Sequence, residues 1–291
     1  GCMRAMIGAA KPLVPGLYLV ATPIGAARDI TLRALDILGA ADVLAAEDTR
    51  TLRHLMDIHG VPLAGRPLVA YHDHNGEKVR PRLIAALNEG KSVAYASEAG
   101  TPLVADPGFD LARAAAAAGG KVFAAPGPSA LLAALAVAGL PTARFLFAGF
   151  PPPTSSARRR WLAELRDVPA TLVFYESPKR LRESLADFVQ SLGQGREAAI
   201  CRELTKRFEE VTRGTLADLQ ARYEDTEVKG EIVIVIDRPH DKAISPGDLE
   251  AALRNALRSM SLKDAAAMVA EATGLPRRDV YKVALALEGQ G

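Results

Sequence analysis

The chain has 291 residues, of which 49% are hydrophobic and 24% charged, so it is long enough for two domains and has the composition of a globular protein. Its net charge of +2 excludes strong overall basicity, so any RNA-binding surface has to be a local patch. The most apolar stretch, residues 129–140, is too short to span a membrane. Two cysteines, Cys2 and Cys201, give neither a disulfide framework nor a metal-ligand spacing, which favours a reducing, cytoplasmic location.

Strand-like and helix-like patterns alternate along the first half of the chain. We take residues 1–15 as a leader or a remnant of cloning, and residues 16–150 as an N-terminal α/β domain. The predicted strands cover 17–22, 42–47, 67–72 and 92–97, with a fifth starting at 121. The predicted helices cover 31–39, a segment from about 49, 79–90, 109–118 and 129–138. This alternation predicts a largely parallel sheet with helices packed around it.

The pattern changes after three consecutive prolines at 151–153, which form a stiff connector. Ser155 or Ser156 is expected to cap the helix that follows, and residues 151–245 are predicted to form a second domain with a mixed sheet. Its predicted elements are strands over 171–177 and 230–237, a helix over 178–191 and an antiparallel hairpin from 198–204 and 209–214. Residues 246–291 have a helical pattern throughout and are predicted to form a small C-terminal extension.

Polar turns fall at the carboxyl ends of the predicted strands, which is where parallel α/β sheets bind ligands. They are TPIG (22–25), AEDTR (46–50), HDHN (72–75), SEAGTP (97–102) and PGPS (126–129). SEAGTP lacks the glycine spacing of a dinucleotide fingerprint and the lysine of a P-loop. Since Glu98 would repel a phosphate, this turn favours a neutral or cationic ligand. Asp48 is alternatively a helix cap, and the histidines of HDHN have no further metal ligand near them in sequence, so we expect no metal site.

These turns, with DPG, GLP, FYESP, ELTK and KGE, occur in order over residues 17–237 and closely resemble the ribosomal RNA small subunit methyltransferase I family. That family lies within the tetrapyrrole methylase superfamily, the class III S-adenosylmethionine-dependent methyltransferases. Residues 261–285 resemble the helical extension of these RNA enzymes. The resemblance implies two α/β domains of the tetrapyrrole methylase type, the first sheet largely parallel and the second mixed, followed by a small C-terminal helical extension.

The same resemblance implies the reaction and its partners. We expect 2′-O-methylation of the ribose of cytidine 1402 in 16S rRNA, with S-adenosylmethionine as the methyl donor. The expected partners are 16S rRNA within the 30S ribosomal subunit and a second copy of the chain in a homodimer, and no membrane. Two alternatives stay open, which are a methyltransferase acting on a tetrapyrrole or corrin precursor and a non-catalytic ribosome-binding protein.

Family resemblance also implies a cofactor site between the two domains. The expected cofactor-binding residues are Pro23, Glu98, Thr101, Ser129, Ala130, Tyr175, Leu204 and Gly230. Tyr175 is alternatively a plain core aromatic. The expected RNA-binding residues are Arg50 and Arg53, Arg158, Arg159 and Arg160 after the proline connector, and Arg202, Lys206 and Arg207 around the hairpin. A solvated basic face is the alternative for these short charge runs.

A ribose 2′-hydroxyl is a poor nucleophile unless a base accepts its proton. The candidate bases at the strand ends are Glu47, Asp48, His72, Asp73, His74 and Glu176. We expect the AEDTR and HDHN loops to face the target nucleotide, with Asp48 and His74 as the catalytic residues. The chain departs from the family pattern at Glu98, where relatives commonly have Asp, and at Ala26, where they have Asn. We therefore assign no polar role to Ala26.

Overall fold

A computed structural model describes residues 11–240 and 244–290, and its N-terminal domain contains a parallel five-stranded sheet. The strands are β1 (Gly16–Val20), β2 (Val43–Ala46), β3 (Leu68–Ala70), β4 (Ser92–Ala96) and β5 (Val122–Ala125). The helices are α1 (Leu32–Ala40), α2 (Thr49–Ile58), α3 (Gly76–Asn88), α4 (Gly108–Ala117) and α5 (Ala130–Ala138). The strand order is β3-β2-β4-β1-β5. The first ten residues of the predicted leader lie outside the described residues.

The register of this sheet brings three of the polar turns together. β1, β2 and β4 are buried along their whole lengths, as expected when helices cover both faces of a parallel sheet. Val20 at the end of β1 and Ala46 at the end of β2 both pair with Ala96 at the end of β4. The TPIG, AEDTR and SEAGTP segments therefore leave the sheet side by side at one edge.

The second sheet is mixed, as predicted. Its strands are β6 (Phe145–Gly149), β7 (Thr171–Glu176), β8 (Glu197–Arg202), β9 (Glu210–Thr215) and β10 (Ile232–Ile236), in the order β6-β7-β10-β8-β9. β6 and β7 are parallel and the other pairs are antiparallel, which confirms the predicted hairpin of β8 and β9. The accompanying helices are α6 (Ser155–Leu165), α7 (Leu181–Leu192), which follows a 3₁₀ turn, and α8 (Leu216–Tyr223). The sequence did not predict β6. The domain limits at 150 and 245 stay a prediction.

The C-terminal extension is helical, as predicted. It consists of α9 (Pro246–Leu257), α10 (Leu262–Thr273) and α11 (Arg277–Glu288). Ser245 and Ser261 cap the first two helices, each accepting a hydrogen bond from a backbone N–H of the first turn. The three helices share a small apolar core that includes Leu253, Val269 and Val280. Within the described residues, no helix combines the length and apolar character needed to cross a bilayer.

The charge run after the proline connector folds differently from the sequence prediction. Thr154, not Ser155 or Ser156, occupies the cap position of α6, and the hydroxyl of Ser155 donates to the carboxylate of Asp187. Arg158, expected to contact RNA, is fully buried, with Nη1 donating to Asp187 at 2.7 Å. The prediction for Arg158 is wrong because one face of α6 has to pack on α7, and a buried guanidinium cannot reach a phosphate.

We expect Asp187→Ala to lower the free energy of unfolding by about 3–5 kcal/mol, because it removes the buried carboxylate that pairs with Arg158 at 2.7 Å and leaves only the exposed Glu183 at 3.9 Å. Denaturant titration of the purified protein measures this change. The control is Asp225→Ala, which removes an exposed carboxylate. Equal stability of the two variants would show that the buried ion pair does not hold α6 on α7.

Candidate active site

A cavity of about 470 Å³ lies where the two α/β domains meet. The N-terminal domain lines it with residues 24, 47, 97–101, 104–106, 129 and 130. The segments around the second sheet line it with residues 150, 175–178 and 230–233. The cavity is therefore built at the carboxyl edge of the parallel sheet, where such sheets bind ligands, and is closed by the second domain.

The SEAGTP turn and the loop after it form one wall of this cavity. Gly100 and Thr22 exchange backbone hydrogen bonds of 3.0 Å in both directions, which joins this turn to the TPIG loop. Leu103 and Ala105 adopt positive φ angles of 78° and 60°, an uncommon conformation for residues with side chains. The carboxylate of Asp106 supports them by accepting from the N–H of Leu103. The wall is thus a strained loop held by specific hydrogen bonds.

The PGPS turn and the start of α5 join the SEAGTP turn to the second domain. Ser129 caps α5, its hydroxyl accepting from the N–H of Leu132 at 3.3 Å. Thr101 donates its hydroxyl hydrogen bond to the carbonyl of Pro128 at 2.8 Å. The hydroxyl of Tyr175 on β7 accepts from the N–H of Leu131 at 3.1 Å. Tyr175 therefore both lines the cavity and links β7 to the start of α5, which a plain core aromatic would not do.

Two turns of the second domain, KGE and ELTK, pack closely against neighbouring segments. Gly230, in the KGE motif, has a φ of +93°, and a Cβ there would lie 2.5 Å from Cδ of Glu203. Gly25, in the TPIG loop, packs as tightly, since a Cβ there would lie 2.7 Å from Oγ1 of Thr205. That same oxygen accepts from the N–H of Ala26 at 3.0 Å, so the ELTK turn is tied directly to the TPIG loop.

Two smaller cavities adjoin the first. The second, of about 270 Å³, lies between the TPIG loop and α2 and shares Ile24, Ser97, Glu98, Ala99 and Glu231 with the first. The third, beside the AEDTR loop, shares Glu47 and Glu98 with the first. Glu98 lines all three cavities, so this residue lies where they meet.

Carboxylates dominate the charge around this junction. Burial raises the pKa of Glu47 above its ordinary value, even though the N–H of Glu98 donates to it, and the nearby Asp106, Glu98 and Asp73 raise it further. Burial likewise raises the pKa of Asp106. A negative site of this kind attracts a cationic ligand such as a sulfonium, and it makes Glu47 a better proton acceptor than an ordinary glutamate.

The two expected catalytic residues, Asp48 and His74, are placed differently relative to the cavities. Asp48 lines the third cavity, but its carboxylate caps α2, where the N–H groups of Arg50 and Thr51 lower its pKa. His74 is exposed and lines none of the three cavities. His72 does line the third cavity. No cluster of three or more potential metal ligands is present among the described residues. The catalytic roles of Asp48 and His74 stay a prediction.

The first cavity, of about 470 Å³, is the large cavity of the site. Six of the expected cofactor residues line it, namely Glu98, Thr101, Ser129, Ala130, Tyr175 and Gly230. Pro23 lines the second cavity instead, and Leu204 is buried in the apolar core between α5 and the second sheet. Sequence reasoning missed Phe150, Asp106 and Glu231, which also line the large cavity. Phe150 directly precedes the proline connector, and an aromatic residue at the junction of the two domains was the available signal.

The side chains of the expected RNA-binding residues differ in how exposed they are. Arg50 is almost fully exposed, Arg53 about half, and both lie on α2 at the rim of the third cavity or beside it. Arg160 and Arg207 are exposed as well. The others are engaged within the chain, Arg159 with Asp187, Arg202 with two backbone carbonyls and Lys206 with Glu203. Arg50 and Arg53 also form ion pairs, with Asp48 at 3.7 Å and with Asp57 at 3.9 Å, but both side chains stay at least half exposed, so α2 presents basic groups beside the cavities.

Comparison with known proteins identifies the family. A family model described as tetrapyrrole (corrin/porphyrin) methylases matches residues 16–220, and one described as the RsmI C-terminal HTH domain matches residues 243–288. Ribosomal RNA small subunit methyltransferase I of Mesorhizobium japonicum is 49% identical, covering 96% of this chain and 94% of that protein. The chain belongs to this methyltransferase I family. The protein of the same name from Xylella fastidiosa is 45% identical, covering 92% of this chain and 98% of its own.

Solved structures support the fold of this methyltransferase I chain. A uroporphyrin-III C-methyltransferase from Thermus thermophilus has a TM-score of 0.54 and 26% identity, covering 76% of this chain and 94% of its own. The predicted fold class, methyltransferase activity and methyl donor, S-adenosylmethionine, are confirmed.

The large cavity fits S-adenosylmethionine. Phe150 is 54% exposed and its ring centroid lies 5.8 Å from that of Tyr175, which gives an adenine an aromatic surface. Glycines with positive φ at 100 and 230 let a ligand approach the backbone closely. Glu231 also lines this cavity, and a carboxylate there suits the polar and cationic groups of the methyl donor. When it is bound, this methyl donor supplies an activated methyl group.

We expect Gly230→Ala to weaken S-adenosylmethionine binding at least about tenfold, because an alanine is strained at this positive φ and its Cβ would displace Glu203 beside the cavity. Isothermal titration calorimetry measures the dissociation constant. The matched control is Gly195→Ala, since a Cβ at Gly195 meets nothing within 4 Å. An unchanged affinity in the Gly230 variant would argue against cofactor binding at the KGE turn.

Proposed function

We propose that this chain methylates the 2′-oxygen of the ribose of cytidine 1402 in 16S rRNA, within the 30S ribosomal subunit. The observation that carries the proposal is the similarity to relatives named ribosomal RNA small subunit methyltransferase I along nearly the whole chain, including the C-terminal extension. We further propose that the protein works in the cytoplasm as a homodimer.

The layout of the cavities supports an RNA substrate. The third cavity opens beside the large one, and exposed Arg50 lies in its rim. Arg53, one helical turn further along α2, lines the next depression of the surface. Phosphate groups of a single strand of RNA can contact these guanidinium groups while one nucleotide enters the cavities. Enzymes that act on a nucleobase take the target nucleotide out of its stack in this way, and the adjoining cavities offer room for such a nucleotide.

We propose Glu47 as the base that accepts the proton of the ribose 2′-hydroxyl. Glu47 lines both the large and the third cavity, so its carboxylate lies between the proposed cofactor site and the proposed RNA entrance. The N–H of Glu98 donates to its Oε2 at 3.2 Å and holds the carboxylate in place. The surrounding residues orient the hydroxyl and exclude water, and Glu47 accepts the proton as the 2′-oxygen takes the methyl group. The bond between that methyl carbon and the sulfonium sulfur breaks in the same step, so the donor leaves as a neutral thioether.

We expect Glu47→Gln to lower kcat by about 10²–10⁴-fold, because the amide cannot accept the proton. Single-turnover methylation under saturating cofactor measures this loss. The base acts deprotonated and its pKa is raised by burial, so the rate of the unsubstituted enzyme rises with pH through a value above the usual glutamate range and then levels off. The variant loses this rise. An unchanged pH profile in the variant would assign the base to another group.

The function itself is tested by transfer of labelled methyl from S-adenosylmethionine to 30S subunits that lack the modification, followed by nuclease mapping. We expect label on the ribose of cytidine 1402. Label on a tetrapyrrole precursor but not on the subunit would indicate the small-molecule alternative. Cofactor binding without transfer to any acceptor would indicate a non-catalytic protein.

A further inference from the structure

The second cavity contains a buried polar group that the fold leaves without a partner. Thr22, at the end of β1, is 3% exposed and lines this cavity. Its backbone N–H and carbonyl are both bonded to Gly100, but no hydrogen-bond partner for its Oγ1 exists among the described residues. A buried hydroxyl without a partner destabilises the fold, so a ligand that hydrogen-bonds to it would offset this cost.

The rest of the cavity has the chemistry of a nucleobase site. Apolar side chains form its walls, namely Pro23, Ile24, Leu52, Leu55 and Ile58. Ile58 is 50% exposed, so this wall continues to the surface. Two carboxylates, Glu98 and Glu231, line the side shared with the large cavity. Glu231 lies 3.5 Å from the ammonium of Lys206, whereas Glu98 has no ion pair within residues 11–240 and 244–290. The carboxylate of Glu98 is therefore available to accept a hydrogen bond from a ligand.

We propose that this second cavity binds the cytosine base of the target nucleotide, with Glu98 accepting from the exocyclic amine and Thr22 bonding to a ring acceptor. A carboxylate that accepts from the N4 amine is a known way to select cytosine. Uracil has a carbonyl oxygen at that position, which a carboxylate repels. The apolar walls enclose the ring after it leaves its stack.

The second cavity suits the cytosine base better than it suits a part of the cofactor. At about 270 Å³ it is smaller than the adjoining cavity of about 470 Å³, which has the aromatic residues and glycines that suit S-adenosylmethionine. A base held in the second cavity has its ribose at the shared boundary, beside Glu98 and the large cavity. His54 lines both the second cavity and the surface near Arg53, so the adjacent phosphates reach the basic face of α2.

This inference rests on the proposed function, and its test uses 30S particles reconstituted with either cytidine or uridine at position 1402. We expect the unsubstituted enzyme to prefer the cytidine particle by at least about tenfold in kcat/KM. In Glu98→Gln the preference falls towards equality, because the amide donates to the uracil oxygen. For each enzyme variant, the preference is the ratio of its kcat/KM values on the two particles at saturating cofactor. A change in cofactor affinity affects both values equally, so it does not change the ratio. The control, Glu250→Gln on α9, removes an exposed carboxylate far from this cavity in the chain and keeps the preference.

Thr22→Val tests the hydroxyl separately. Valine has nearly the same shape, and since the hydroxyl has no partner in the protein, we expect the melting temperature to stay the same or rise. We also expect kcat/KM on the cytidine particle to fall about tenfold while the dissociation constant of S-adenosylmethionine stays unchanged. A purely structural role of Thr22 would instead lower the melting temperature.

The outcomes distinguish this inference from the proposed function. If the unsubstituted enzyme transfers no methyl to the cytidine particle, the proposed function fails. If it does transfer methyl, but Glu98→Gln keeps the full preference or Thr22→Val keeps the full kcat/KM, the second cavity does not bind the base and the proposed function stands.

Discussion

Helix α5 belongs by chain order to the N-terminal domain, but its packing on the second sheet determines how the two domains fit together. Ala134, Leu135 and Ala138 are buried against side chains of β7, β8 and β10. The hydroxyl of Tyr175 accepts from a backbone N–H at the start of the helix, and the guanidinium of Arg213 donates to backbone carbonyls at its end. Because both ends and one face of α5 are held by the second domain, this helix sets the distance between the walls of the cavity.

The strained backbone of the chain is concentrated beside that cavity. Leu103 and Ala105 in one wall, and Glu203 and Thr205 in the ELTK turn, have positive φ angles. Such a conformation costs about 1–2 kcal/mol for each residue with a side chain, so the surrounding hydrogen bonds have to hold it. Asp106 does this in the first segment, and the N–H of Thr205 donates to Glu209 in the second. Strain of this kind is typical of ligand-binding loops, which agrees with the placement of the methyl-donor site.

Much of the fold followed from periodicity and spacing, and the errors have specific physical causes. Strand β6 lies at the edge of the second sheet, beside β7, and it was missed because the apolar segment before the proline connector was assigned to the end of the first domain. Arg158 was misassigned because three consecutive arginines on a helix point in different directions, and Arg158 shares its face with buried Leu162, four residues later. His74 lies away from the cavities because Asn75 bonds to the backbone of His72 and Ala70, which folds the HDHN loop back on itself.

The sequence alone determined the parallel first sheet, the order of the polar turns and the family, since periodicity, turn chemistry and ordered motifs are all properties of the linear chain. It also determined that the turns lie at one edge, because parallel strands end together. Only the tertiary structure decided that Glu98 lies where three cavities meet, that Glu47 is half-buried among carboxylates and that the hydroxyl of Thr22 has no partner. Burial and hydrogen-bond satisfaction depend on segments that are far apart in the chain, such as Ala26 and Thr205 of the ELTK turn at a separation of 179 residues, and no local pattern encodes such contacts.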